Sequence, residues 1–231
     1  MRSDICSIPV NEVFEPKDGC PLCRLRDMLE ERVLDYIMGA AMMEPDVRKE
    51  TNKQGFCYDH FKAMLNRRNR LSIALILDSH IAELEKELFG GIIKTPDGAK
   101  INRINKLNDT CFVCESIENG FKSIVNNTLK HYENEREFRK LFDEQETVCL
   151  PHYALLMSAA DKGLSRRYKD EFKKSLNEIV KKNMAELHKD VRHFCDMYDY
   201  RNNGEEADWG NSRDSLERSV NFITSRDPEK K

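Results

Sequence analysis

Glycine and proline are scarce in this chain, ten and seven residues of 231, and tryptophan occurs once. So few turn-formers argue against a many-stranded sandwich or barrel and against a low-complexity linker. Long apolar runs are missing too. The most apolar stretch, Leu71 to Leu77, falls far short of the roughly 20 residues a membrane span needs. The opening MRSDICSIPV lacks the apolar core of a secretory leader. Charge of one sign is not in excess: the formal net charge is −3 and the pI near 6.1. Neither nucleic acid nor an anionic membrane surface is attracted by the chain as a whole. These absences lead us to expect a cytoplasmic protein with no membrane partner, in a compartment that keeps thiols reduced.

What is present is helix-compatible sequence, 39% hydrophobic and 34% charged, and eight cysteines. In a reducing compartment that many cysteines read as metal ligands before they read as disulfides. Six of them fall into a doubled pattern. Cys20 and Cys23 form a Cys-x-x-Cys, and after 33 residues come Cys57 and His60 as Cys-x-x-His. Cys111 and Cys114 repeat the first motif, and after 34 residues Cys149 and His152 repeat the second. Three thiolates and one imidazole are the ligand set of a closed tetrahedral zinc site, with no position left for water or substrate. A lone Cys-x-x-Cys is ambiguous with a redox motif, whereas the doubled four-ligand spacing is specific. The expectation is two zinc ions per chain, one on Cys20, Cys23, Cys57 and His60, the other on Cys111, Cys114, Cys149 and His152.

The flanking residues explain how such ligands converge. Pro21 and Pro151 sit where a helix begins, the position at which a missing N–H costs least. Leu22, Leu25, Leu29, Val33, Tyr36, Ile37 and Ala40 then recur at helical spacing. Each ligand pair therefore lies at a helix N-terminus, where the macrodipole favours thiolate. A helix from Pro21 to about Met43 is roughly 33 Å long at 1.5 Å per residue, so the return to Cys57 leaves little slack. Leu71, Leu75, Ile76, Ile81, Leu84 and Leu88 mark a further stripe ending at Gly90 and Gly91. Tyr168, Phe172, Leu176, Ile179, Leu187, Val191, Phe194 and Tyr198 mark a long one that needs covering, by the rest of the chain or by a second copy. Pro96-Asp97-Gly98 between β-prone residues predicts a small hairpin. Beyond Asn202 the chain is polar, with a short amphipathic segment from Leu216 to Ile223 and an end expected to be mobile; Trp209 is expected to anchor this tail on the helices.

The segments IPVNEVFEPKDGCPLCRL, MMEPDVRKETNKQGFCYDHF, TVCLPHY and DWGNSRDSLERSV resemble a family of uncharacterised prokaryotic proteins, over nearly the whole chain. The resemblance supports the helical, metal-bearing reading and transfers no catalytic residue.

The expected architecture is all-α. A first Cys3His helical unit spans 1–92, a linker or hairpin 93–110, a second unit 111–201 and a polar tail 202–231. The expected role is a non-enzymatic scaffold or protein-interaction module, with an unidentified protein partner or self-association through the long helix. Two alternatives use the same features. An iron–sulfur or redox protein would use the same ligands, and a nucleic-acid-binding regulator would use Lys62, Arg67, Arg68 and Arg70 after His60. Cys6 and Cys195 read as small buried hydrophobes. Asp190 and His193 have half of a metal-site spacing, but no histidine carries a glutamate three residues before it. His80, His131 and His188 read as surface or satisfied side chains.

Overall fold

A computed structural model describes residues 10–90, 95–199 and 208–228. Among them there are eleven α-helices and no strand. The helices are α1 (Val10–Phe14), α2 (Pro21–Met38), α3 (Pro45–Gln54), α4 (Tyr58–Leu65), α5 (Arg70–Phe89), α6 (Asp97–Asp109), α7 (Phe112–Asn134), α8 (Arg136–Asp143), α9 (Leu150–Gly163), α10 (Arg166–Asp196) and α11 (Ser215–Thr224). Short 3-10 turns occupy Ala40–Met43 and Gly210–Ser212. No helix among the described residues is long and apolar enough to cross a membrane.

Two compact units share the chain, and neither is contiguous in sequence. The described part of the first is 27–90 with 95–122, and that of the second is 10–26 with 123–199 and 208–228. The division falls inside α2 and α7, so each of these helices opens in one unit and ends in the other.

In the first unit α3 packs on α5, α6 and the 3-10 turn after α2, and α4 packs on α5. Leu29, Val33 and Ile37 of α2 are buried, in line with the helical stripe read from the sequence; Leu34 and Met38, outside that stripe, are buried too, and Ala40 at its end is exposed. The inward face of α5 is not the one its leucines suggest. Ser72, Ile73, Ile76 and His80 are buried, while Leu71 and Ile81 are exposed. A polar residue can take a buried position once its hydroxyl is satisfied, and Ser72 Oγ donates to the Met38 carbonyl at 2.7 Å. The expected hairpin is also replaced: Asp97–Asp109 is a helix that starts directly after Pro96. Pro96 and Asp97 serve as a helix start as readily as a turn, and Arg103 fastens α6 by donating to the carbonyls of Asn52 and Lys53. Residues 91–94 of the same prediction lie outside the described residues.

The second unit is organised by an aromatic core. Tyr132 and Phe172 meet with ring centres 4.8 Å apart, Phe142 and Phe172 at 4.9 Å, and Phe14 and Phe138 at 5.0 Å. The stripe of α10 is covered within the chain by α8, α9 and α11, and Phe172, Leu176, Ile179 and Leu187 are buried as expected. Trp209 stacks edge-on against Phe194 and Tyr198, so the segment that follows is docked, with α11 on α9 and α10. Phe172 is fully buried, and a buried Phe→Ala change costs about 3–5 kcal/mol. Phe172→Ala should therefore lower the unfolding free energy by about that amount, read as a reduced urea midpoint at unchanged slope.

Candidate metal centres

Four helix starts carry the eight motif residues, and all four are built alike. In each, the carbonyl of the first cysteine accepts the N–H four residues on: Arg24 from Cys20 at 3.3 Å, Phe61 from Cys57 at 3.0 Å, Glu115 from Cys111 at 3.0 Å and Tyr153 from Cys149 at 2.8 Å. The first cysteine thus caps the helix, and the second ligand lies on its first turn. For Cys57 and Cys149 the backbone is extended and the sulfur makes no capping bond, which leaves it free to face another group.

These starts meet in pairs across the sequence. Cys20, Cys23, Cys149 and His152 form one cluster, and Cys57, His60, Cys111 and Cys114 form the other. Within each cluster the four ligand atoms lie within 4.8 Å of one another. All eight predicted ligands are gathered, but the pairing expected from sequence order is wrong: each Cys-x-x-Cys joins the other half's Cys-x-x-His. The physical reason is the direction of the return: instead of running straight back along α2, α3 turns aside to pack on α5 and α6.

Local contacts fix each crossing. In the first unit Phe112 N–H donates to the Gly55 carbonyl at 3.0 Å, and Thr110 Oγ1 to the Gln54 carbonyl at 2.6 Å. Gly55 adopts φ +66, and a Cβ there would also approach Leu107 to 3.1 Å. In the second unit Gln145 donates to the Phe14 carbonyl at 2.8 Å, and Lys17 pairs with Glu144 at 2.6 Å.

The spacing fits one tetrahedral ion. Bonds of about 2.3 Å to sulfur and about 2.0–2.1 Å to nitrogen give edges near 3.8 Å between sulfurs and near 3.5 Å from sulfur to nitrogen. His152 Nδ1 lies 3.5, 3.4 and 3.1 Å from the sulfurs of Cys20, Cys23 and Cys149. His60 Nδ1 lies 3.0, 3.3 and 3.4 Å from those of Cys57, Cys111 and Cys114. Cys23 and Cys149 are 3.6 Å apart, and Cys57 and Cys114 3.9 Å. Both clusters can hold a metal ion, and no disulfide joins the described cysteines.

Electrostatics explains why a cation belongs there. Burial opposes ionisation of Cys111, yet the hydrogen bond with His60 prevails and brings its pKa down to about 6. Burial likewise opposes the charge on His60, but the Cys111 and Glu30 bonds raise it to about 10. Cys114 is pushed up by burial and then by the charges of Cys111 and Cys57. In the other cluster Cys20 is held well below the usual thiol range: burial is outweighed by bonds from Cys149, Cys23 and His152. Cys149 is driven up to about 12, chiefly by its bond to Cys20, and Cys23 is raised by its bonds to Cys149 and Cys20. One thiolate forms in each cluster, and Cys114 in the one and Cys23 and Cys149 in the other resist following. A divalent cation removes that resistance.

The surroundings of the two clusters differ. Glu30 Oε1 sits 3.3 Å from His60 Nε2, the carboxylate–histidine arrangement that orients a metal-bound imidazole. No spacing rule marks Glu30 in the sequence, because its partner arrives from another helix. The second unit's cluster is capped by the end of α11. Ser225, at φ 57, places its carbonyl 3.9 Å from Cys23 Sγ, and Arg26 donates to that carbonyl at 2.8 Å and to Ser225 Oγ at 3.0 Å.

Other sequence candidates do not gather. Among the described residues only these two groups have metal-ligand geometry. Asp190 pairs with Arg218 at 3.0 Å, and His193 Nε2 faces the Asp208 carbonyl at 2.9 Å. The groove beside His188 and His193 takes all its lining from α10. His131 lies 2.5 Å from Glu135, and His80 is buried. Cys195 is exposed, contrary to the buried hydrophobe expected, and Cys6 lies outside the described residues. In the basic segment Arg67 is held between Glu31 and Asp35, which leaves Lys62, Arg68 and Arg70 exposed.

A family model, described as a family of unknown function, DUF6062, matches residues 1–230. The chain belongs to the DUF6062 family. No curated protein and no solved structure matches it.

The crossed pairing is open to a direct test with double variants of the DUF6062 chain. Cys23→Ser with Cys149→Ser should cost one metal per chain, because both changes strike one cluster, whereas Cys23→Ser with Cys57→Ser should cost two. Pairing in sequence order gives the opposite result, and metal content by mass spectrometry reads it. Separately, Glu30→Ala should weaken the His60 cluster about 10–100-fold in competition with a chromophoric chelator, leaving the His152 cluster unchanged.

Proposed function

We propose that the protein is a zinc-stapled helical scaffold: two closed Cys3His sites of structural type, on a chain whose two halves are repeats of one another. The observation that carries this reading is the enclosure of each candidate ion position by four protein donors at tetrahedral edge lengths. Closed sites of this kind stabilise a fold, while a catalytic zinc keeps a position for water or substrate. Zinc is supported over a polynuclear iron–sulfur centre by compactness. Such a centre spreads its ligands over different irons, and therefore over longer separations than 4.8 Å. A reducing, cytoplasmic location goes with the reading, since it keeps the thiols available to metal.

A protein partner is part of the same proposal. Leu216, Val220 and Ile223 are exposed at helical spacing on α11, an apolar stripe of the kind that meets another chain. The long helix α10 is a weaker candidate for self-association, because its stripe is already covered within the chain. Arg67 is neutralised by its two carboxylates, which weakens the nucleic-acid alternative.

Structural zinc contributes about 10–16 kcal/mol of apparent binding energy, comparable to the roughly 5–15 kcal/mol of net stability of a whole domain. Protein purified without chelator should carry two zinc ions per chain. Stripping them should abolish most of the far-ultraviolet helical circular dichroism, and returning zinc should restore it. Helicity that survives complete removal would contradict a structural role, and iron with a visible absorption band would move the protein to the redox class.

A further inference from the structure

The two clusters share one donor set but not one exposure. Cys20, Cys23, Cys149 and His152 are 7%, 9%, 1% and 5% exposed, and Ser225 lies over Cys23. In the first unit Cys114 is exposed and Cys57 half-buried, whereas Cys111 and His60 are buried. Tyr58, next to Cys57, is exposed as well. One edge of that site, the Cys57–Cys114 edge, therefore faces solvent, and its sulfurs are 3.9 Å apart.

Resting on the metal reading above, we propose that the Cys57–His60–Cys111–Cys114 site is a redox-controlled metal site, which a hydroperoxide opens by joining Cys114 to Cys57. Accessible thiolates are the ones oxidants reach. The Cys114 thiolate attacks one peroxide oxygen: the S–O bond forms, the O–O bond breaks, and the leaving hydroxide or alkoxide takes up a proton. The Cys57 thiolate then attacks the sulfenic sulfur of Cys114. The S–S bond forms, the S–O bond breaks, and the departing hydroxide is protonated to water. Two electrons pass from the two sulfurs to the peroxide, and a dithiol reductant reverses the change. Closing 3.9 Å to a disulfide bond of about 2.05 Å takes a short side-chain movement. The ion loses two of its four donors and departs, while the other site keeps its own.

Distance alone predicts the reverse order, because Cys23 and Cys149 are closer, at 3.6 Å. Access and proximity point to different sites, so one experiment decides between them. The full chain, loaded with zinc, is treated with hydrogen peroxide at low stoichiometry. Release is followed with a chromogenic zinc indicator, and disulfides are mapped by peptide mass spectrometry. The expected result is one equivalent of zinc released at least tenfold faster than the second, together with a Cys57–Cys114 disulfide. Dithiothreitol followed by zinc should reverse both. Equal rates, release of neither ion, a first disulfide between Cys23 and Cys149, or one between Cys111 and Cys114 would each overturn the proposal while leaving the two-site reading standing. A chain that holds no metal before oxidant is added overturns both.

Discussion

Three thiolates and an imidazole within 4.8 Å of one another repel each other unless positive charge lies among them. The rest of the structure is arranged around this constraint. Four helices begin at the clusters, two at each, which brings the positive ends of their macrodipoles to the ligands. Hydrogen bonds within each cluster hold one thiolate against burial, Cys20 through Cys149, Cys23 and His152 and Cys111 through His60, while Cys23, Cys149 and Cys114 remain pushed toward the thiol. A divalent ion held there would supply the missing charge. Helix starts, ligand spacing and metal thus form one unit of design rather than three separate features.

The two sites meet this constraint in different settings. In the second unit the cluster is enclosed, with α11 ending over it and Arg26 holding Ser225 in place. Enclosure lowers the local dielectric, which strengthens the attraction between ion and thiolates but also raises the cost of any thiolate left without its ion. In the first unit the solvent-facing edge relaxes both effects, and Glu30 compensates by holding the imidazole of His60 from behind. The same four donors are therefore set for retention in one place and for response to the surroundings in the other.

The ligands were legible in the sequence because metal chemistry restricts residue type and short-range spacing at once. The pairing was not. Thirty-three and thirty-four residues separate the motifs in the two halves, and that near-equality fits direct and crossed pairing equally well. The direction taken by α3 decides between them, and that direction depends on its packing against α5 and α6, which no short spacing encodes. The face of α5 was misread for a related reason: Ser72 and His80 take buried positions that hydrophobic periodicity assigns to leucines. The α10 stripe was read correctly from Phe172 to Leu187, where the buried positions are apolar throughout, while Tyr198 at its expected end is exposed. Trp209 was legible as an anchor because so large an aromatic in a polar segment has little else to do.

Crossing the sites adds little chain entropy. A cross-link closing about 130 residues, as between Cys20 and Cys149, restrains the unfolded chain by about 5 kcal/mol, against about 4 kcal/mol for the roughly 37 residues of an uncrossed site. A difference near 1 kcal/mol does not explain the arrangement. What crossing changes is which residues depend on one another. With direct pairing, each half would own a complete ligand set and could hold its ion alone. With crossed pairing, the stretch from Cys20 to His60 owns only a Cys-x-x-Cys from one site and a Cys-x-x-His from the other. Two donors leave an ion half-coordinated, so neither half can complete a site until the other has brought its own helix starts into place. A metal held in either site would then report on the assembly of both halves, and its loss would register in both at once.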